Sequence, residues 1–191
     1  MNAFEIVLTL LTMVTSLALA HLLNGFVIVL RHAKQVQFSM LHGIWSWIAL
    51  AVLIGNWASF WQMRNVETWP SVTVLLLLAA ATVQYLFCAF VTPEMEQEGK
   101  LNLKDFHAHS HRLYILAFIM LLFISLLLNL VLGGMKMYEN WWHDSILTIV
   151  AMLQSSIAIF VNNFWVQLGV AIVNASIVTY YLILSCNFVA S

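Results

Sequence analysis

Long apolar runs separated by short polar segments make up most of this chain. A helix that crosses the hydrocarbon core of a bilayer needs about 20 apolar residues, and runs of about that length recur along the whole sequence. The predicted spans cover residues 4–30, 40–61, 71–91, 113–132, 145–161 and 164–189. The pattern therefore predicts an all-α, polytopic transmembrane helix bundle of about six spans, formed by residues 1–191 as one membrane domain.

Two of these spans have ambiguous ends. The first passes Ala18-Leu19-Ala20, which resembles a signal-peptidase site. No Lys or Arg precedes it, so we expect an uncleaved span. Residues 145–191 are too long for one helix, and Asn162-Asn163 is the best turn between two. Because the fifth span is short, a re-entrant hairpin is the alternative to two full spans.

Composition makes lipid the expected partner for most of the chain. Charged residues are 8% of the sequence, against roughly 25% in ordinary soluble domains, and the mean hydropathy is +0.93. A net charge of −1, without a large polar domain, argues against nucleic acid as a partner. Cys88 and Cys186 fall in apolar spans near opposite faces, which predicts two buried thiols rather than a disulfide.

One long polar segment, residues 92–112, interrupts the apolar pattern. It contains seven of the fifteen charged side chains and three of the seven histidines. The connections after the first and third spans carry five basic residues, and those after the second and fourth carry two. Because the face richer in Lys and Arg is usually cytoplasmic, we expect 92–112 to be a cytoplasmic loop and both termini to be periplasmic. Such a loop offers a surface for a cytoplasmic protein partner.

The first span carries small and polar residues at four-residue spacing. Thr12, Ser16, Ala20 and Asn24 share one helix face, and Asn24 lies one turn from His21 on the adjoining face. His21 is the one ionisable group in the central part of any predicted span. Small residues at this spacing support close helix packing in lipid, whereas intramembrane ionisable groups mark candidate pathways. A helix–helix seam and a pathway lining are the two interpretations.

The sixth span carries a second polar stripe. Asn163, Gln167, Asn174 and Tyr181 recur at spacings of four and seven, which puts them on one helix face. Amides that face lipid are costly, so we expect this face to look into the bundle or toward another subunit. Interhelical hydrogen bonds and a polar pore lining are the two interpretations.

The histidines raise two hypotheses, a metal site and a haem site. His107 and His111 share a face if the fourth helix starts early, and such a pair can bind zinc with Asp105 or Glu98. The alternative is a polar helix end at the headgroup level. Bis-histidine haem would need paired histidines at matching depths, and His21 and His42 match poorly. Sequence motifs of membrane proteases and hydrolases are absent, so the chain is more consistent with a protein that is not an enzyme.

The run SLALAHLLNGFVIVLRHAKQV, followed by LHGIWSW, resembles small bacterial six-span inner-membrane proteins. The resemblance is strongest over residues 16–47. It implies a bacterial inner-membrane location and a similar bundle, and it supplies no catalytic residues.

Two polar stripes without a catalytic constellation favour a channel- or transporter-like function. A chain this small has little room for a pore of its own, so we expect a homo-oligomer with the first or sixth helix at the interface. The alternatives are a membrane scaffold, sensor or accessory subunit acting through its cytoplasmic loop, and a metal- or haem-binding membrane subunit.

Overall fold

The computed structural model describes residues 3–34, 36–65, 69–93, 101–134 and 141–190. Helices account for most of these residues and confirm the predicted all-α fold class. In chain order the helices are α1 (Ala3–Arg31), α2 (Met40–Gln62), α3 (Ser71–Val91), α4 (Leu103–Gly134), α5 (Trp141–Phe160) and α6 (Phe164–Ala190). Two short strands, β1 (Val36–Gln37) and β2 (Leu101–Asn102), pair in parallel.

The helices have the length and composition of a membrane bundle. Within the described residues, α1, α2, α3, α4 and α6 are long and apolar enough to cross a bilayer. The remaining helix, α5, contributes a shorter apolar stretch, Ser145–Phe160. The chain is therefore a polytopic membrane protein, consistent with a bundle of about six spans.

The fourth helix begins ten residues before the span predicted from hydropathy. Asn102 caps it: its side-chain oxygen accepts hydrogen bonds from the backbone N–H groups of Lys104, at 3.1 Å, and Asp105, at 3.4 Å. The Asn102 amide also donates to the Asp105 carboxylate at 2.6 Å. Because α4 has 32 residues, it is about 48 Å long, against a hydrocarbon core of about 30 Å. The helix is therefore longer than the core is thick, and residues 103–112, predicted to belong to a loop, form its first turns.

Polar residues set the other helix boundaries as well. The Ser39 side chain accepts a hydrogen bond from the His42 N–H and caps α2. Asn163 does the same for α6, where its side-chain oxygen accepts from the Trp165 N–H at 2.9 Å. The turn predicted at Asn162-Asn163 thus separates α5 from a continuous α6. Thr92-Pro93 follows the end of α3.

An aromatic core lies where α2, α3 and α4 meet. Trp45 of α2 packs against Phe118 and Tyr114 of α4, with ring centroids 5.6 and 5.5 Å apart. Phe87 of α3 lies 5.4 Å from Phe118. All four side chains are almost completely buried. Around this core, α2 contacts α1 and α6, α3 contacts α1, and α4 contacts α5.

The β1–β2 pair joins the connection after α1 to the start of α4. We call this the strand end of the bundle. Both α2 and α4 begin here, and so does α6, since Gln167 near its start contacts His107 near the start of α4. The start of α1 and the end of α6 therefore lie at the opposite end. The two connections predicted to share one membrane face do lie together.

The thiols are both free, but they differ in exposure. Cys88 is buried in α3, whereas Cys186 is exposed on α6. The prediction of a buried thiol is therefore wrong for Cys186, which lies on the outer side of its helix.

Candidate functional site

Buried polar side chains lie at three levels of the bundle, and α6 contributes to each level. Near the strand end, Gln167 contacts His107. Farther along α6, Asn174 contacts Gln154 and Ser155 of α5. Beyond that, the Tyr181 hydroxyl contacts Asn56 of α2. The first of these groups combines titratable side chains with unpaired nitrogens and is the candidate functional site.

His107 is held between Gln167 and Tyr114. Its Nε2 lies 2.8 Å from the Gln167 side-chain oxygen, and its Nδ1 contacts the Tyr114 hydroxyl. The Gln167 amide nitrogen donates to the Val161 carbonyl at 3.2 Å, which fixes the orientation of the amide. Because the Gln167 oxygen can only accept, His107 carries its proton on Nε2 and accepts the Tyr114 O–H on Nδ1.

His111 has the opposite tautomer. Its Nδ1 lies 3.0 Å from the His107 carbonyl and 3.1 Å from the Ala108 carbonyl, so Nδ1 carries the proton. Its Nε2 is buried and has no hydrogen-bond partner among the described residues. The ring stacks on His107, with centroids 5.4 Å apart and planes 24° from parallel.

His42 comes to the same level from the first turn of α2. Its ring meets the edge of Phe106 at a centroid distance of 5.4 Å. Its Nε2 lies 3.4 Å from the Ser46 hydroxyl, and its Nδ1 is buried without a partner in the described part of the chain. We call His42, His107 and His111 the histidine cluster. The unpaired nitrogens of this cluster can accept hydrogen bonds.

The predicted zinc ligands are not gathered around one point. Asp105 is exposed, and its carboxylate bonds with Asn102. Both ring nitrogens of His107 are occupied by Gln167 and Tyr114. Among the described residues, no three His, Cys, Asp or Glu side chains are arranged to hold a metal ion. Glu98 lies outside the described residues, and the zinc site stays a prediction.

The polar stripe of α6 makes contacts with other helices of the same chain. Gln167 and Asn174 are buried, and Asn174 is 0% exposed. Asn174 accepts a hydrogen bond from Gln154 and donates one to Ser155, both at 2.9 Å. Tyr181 donates to Asn56 at 3.3 Å. Asn163, which continues the stripe in sequence, is exposed and caps the helix instead.

The stripe of α1 lies on the outer surface of the bundle. Ser16, Ala20 and Asn24 are exposed, and Thr12 is half-buried. The α1 side chains that face the core are buried residues on other positions, Val7, Leu11, Thr15, Ala18 and Leu22. His21 is half-buried, and its ring lies 6.2 Å from that of Tyr85 on α3. The stripe therefore does not form the surface by which α1 packs against the other helices of the chain.

Sequence reasoning missed several members of these polar groups. Asn56 and Gln84 form a bond of 2.8 Å between α2 and α3, and each is an amide in an apolar span. An isolated amide in such a span is itself a signal, because it must find a partner. His42 could have been associated with His107 from the shared membrane face of their connections. No sequence feature identified Tyr114 as a member of these groups.

Comparison of the chain with protein-family models, with curated proteins and with solved structures finds no match.

Proposed function

We propose that this chain acts as a homo-oligomer in a bacterial inner membrane, with a channel- or transporter-like function. In this proposal a polar path runs between subunits along α1. Residues 92–112 face the cytoplasm, and both termini face the periplasm.

The observation that carries the proposal is the position of the α1 stripe. Asn24 and Ser16 are exposed on the subunit surface. An amide in contact with lipid leaves hydrogen-bonding groups unsatisfied, at a cost that an interface would remove. Small side chains at four-residue spacing also let two helices approach closely. These features support contact between α1 helices of neighbouring subunits.

The arrangement inside one subunit supports a path between subunits over a path within one. The polar side chains of α6 form hydrogen bonds to α2, α4 and α5. Aromatic and aliphatic side chains fill the space between α2, α3 and α4. Of the two polar stripes interpreted as possible pathway linings, the α1 stripe is therefore the one that stays available.

Oligomerisation is tested by crowding the stripe. Ala20→Leu adds volume at an exposed position of α1 and is expected to convert the oligomer to smaller particles in nanodiscs. Val173→Leu adds volume at an exposed position of α6 and serves as the matched control, with no expected change in mass. A wild-type particle that is monomeric in several mild detergents and in nanodiscs would overturn the proposal.

Conduction is tested separately, with purified protein in vesicles loaded with pH-sensitive and potential-sensitive dyes. Wild-type protein and Val173→Leu are expected to dissipate an imposed ion gradient, and Asn24→Leu to lose most of this flux while keeping the oligomer. An intact oligomer without flux under any imposed gradient would contradict the channel-like function and favour the second candidate.

The second candidate is a scaffold, sensor or accessory subunit that binds a cytoplasmic protein at the strand end. It is favoured by the exposed, charged first turns of α4, which carry Lys104, Asp105 and Arg112. Loss of a specific co-purifying protein after alanine replacement of these three residues would support it.

A further inference from the structure

The last turns of α1 project beyond the neighbouring helix α3. Since α3 has 21 residues, it is about 31 Å long and matches a hydrocarbon core of about 30 Å. Gly25 of α1 lies against Thr92, the residue that follows α3. Arg31 ends α1 six residues later, about 9 Å farther along the helix axis. Because the headgroup layer adds about 5–8 Å on each side of the core, we expect the Arg31 side chain at the level of the lipid phosphates.

Positive charge predominates at this end of the bundle. Arg31 and Lys34 are exposed, the first in the last turn of α1 and the second just after it. At the strand end, the described residues add Lys104 and Arg112 and a single carboxylate, Asp105, which bonds within the cap of α4. In the part of the chain that the structure describes, no carboxylate forms an ion pair with Arg31 or Lys34. These two cations are therefore available to an external anion.

The backbone that carries the two cations is held on both sides. Backbone N–H groups of His32 and Ala33 donate to carbonyls of α1 at 3.1 and 3.4 Å, so a helical turn continues past Arg31. The β1–β2 pair then fixes the connection shortly after Lys34. Arg31 and Lys34 therefore stand on an ordered turn, three residues apart.

Exposed apolar side chains adjoin the two cations. On α1, Leu23 and Val27 lie two turns and one turn before Arg31 on the same helix face, and both are exposed. On the other side of the turn, Phe38 and Met40 are 68% and 64% exposed. Apolar surface of this kind is covered by lipid in a membrane rather than by water. The surface thus combines hydrocarbon contact along α1 with positive charge where the helix ends.

We propose that the end of α1 and its connection to α2 bind an anionic phospholipid, with its phosphate at Arg31 and Lys34 and its acyl chains along Leu23 and Val27. Arginine suits this role because its guanidinium donates two parallel hydrogen bonds to a phosphate. A lipid matches the surface better than a free phosphate does, because only a lipid brings hydrocarbon to the apolar face. The inference does not depend on the proposed oligomer or path, and it holds for either orientation of the chain.

Native mass spectrometry of the wild-type chain tests the binding. The protein is released from nanodiscs that contain phosphatidylglycerol and phosphatidylcholine in equal parts. We expect the retained lipid to be mainly phosphatidylglycerol, because only this headgroup carries a net negative charge. Equal retention of the two lipids would overturn the proposal.

Charge-removing variants locate the site. Arg31→Gln is expected to weaken the binding of phosphatidylglycerol about fivefold, and the double variant with Lys34→Gln about 25-fold, from the contribution of basic residues near an anionic surface. Arg64→Gln removes one exposed positive charge beyond the other end of α2 and is the matched control, with no expected change. All three positions are exposed, so the bundle should still fold. A double variant that binds like the wild type would overturn the proposal, and so would an equal loss in Arg64→Gln.

Competition distinguishes a lipid from a soluble anion. Glycerol phosphate carries the phosphate without acyl chains, so it should leave bound phosphatidylglycerol in place at concentrations at which added phosphatidylglycerol exchanges with it. Displacement by both compounds at the same concentration would show a site for a soluble phosphate and would overturn the assignment to a lipid.

Discussion

Single amides connect helices at the residue scale. Gln84 of α3 is 1% exposed, and its oxygen accepts a hydrogen bond of 2.8 Å from Asn56 of α2. Its nitrogen donates to the Cys88 sulfur at 3.8 Å, and Asn56 in turn accepts from Tyr181 of α6. Two amides, Gln84 and Asn56, thus link α2, α3 and α6. Such bonds matter because apolar contact alone gives little preference for helix association in lipid.

Replacement of this amide should weaken the bundle. Gln84→Leu removes both bonds of the Gln84 side chain and leaves the Asn56 amide without its partner. We expect a loss of about 1 kcal/mol in unfolding free energy, in the range of interhelical hydrogen bonds in membranes. Thr82→Val, two residues before Gln84 in α3, is the control, because Thr82 is exposed and bonds within its own helix to the Leu78 carbonyl. Denaturant titration in mixed micelles would measure both, and equal stability of the two variants would contradict the prediction.

At the element scale, a glycine of α1, Gly25, lies against Thr92, the residue that follows α3. A Cβ atom at Gly25 would lie 2.5 Å from the Thr92 Cγ2 atom. Thr92 is held in place because its hydroxyl donates to the Cys88 carbonyl at 2.8 Å. Gly43, in the first turn of α2, has no described atom within 4 Å of the same construction. A close contact therefore requires glycine at position 25, whereas no described contact requires it at position 43.

Alanine substitutions at the two glycines should therefore change the stability differently. Gly25→Ala is expected to lower the thermal stability, with a cost of about 1–3 kcal/mol from overpacking. Gly43→Ala should be neutral or stabilising by up to about 1 kcal/mol, because alanine favours the helix. Thr92→Ser removes the methyl group and keeps the hydroxyl, so it should restore much of the stability in the Gly25→Ala protein. Thermal unfolding in nanodiscs measures all three, and a Gly25→Ala protein as stable as Gly43→Ala would disprove the close contact.

At the scale of the whole molecule, the pairing of β1 with β2 fixes which connections share a membrane face. The basic residues near this face predict that it is cytoplasmic. A single cysteine at position 2 should therefore react with an impermeant maleimide on intact cells, whereas a cysteine at position 98 should react only after permeabilisation. Labelling of position 98 alone on intact cells would reverse the orientation and would require the proposed cytoplasmic partner to be sought outside the cell.

Hydropathy was sufficient for the number and approximate limits of the helices, because an apolar run of span length has few alternatives in lipid. It failed at the start of α4, where the cap formed by Asn102 extends the helix through polar residues. Residue spacing identified Gln167 and Asn174 as members of one face. It could not name their partners, His107 and Ser155, because partners on other helices depend on rotation and depth, which the sequence leaves free.

The distribution of polar contacts also constrains how the chain is made. Since α6 follows α2, α4 and α5 along the chain, His107, Ser155 and Asn56 are synthesised before their partners on α6, which are Gln167, Asn174 and Tyr181. Until α6 is synthesised, each of these side chains keeps only its bond within the earlier helices, to Tyr114, Ala151 and Gln84 respectively. A chain that stops before Phe164 lacks all three of these contacts between helices. The polar side chains left without their partners on α6 distinguish such a product from the folded bundle, and a membrane protease can recognise it by them.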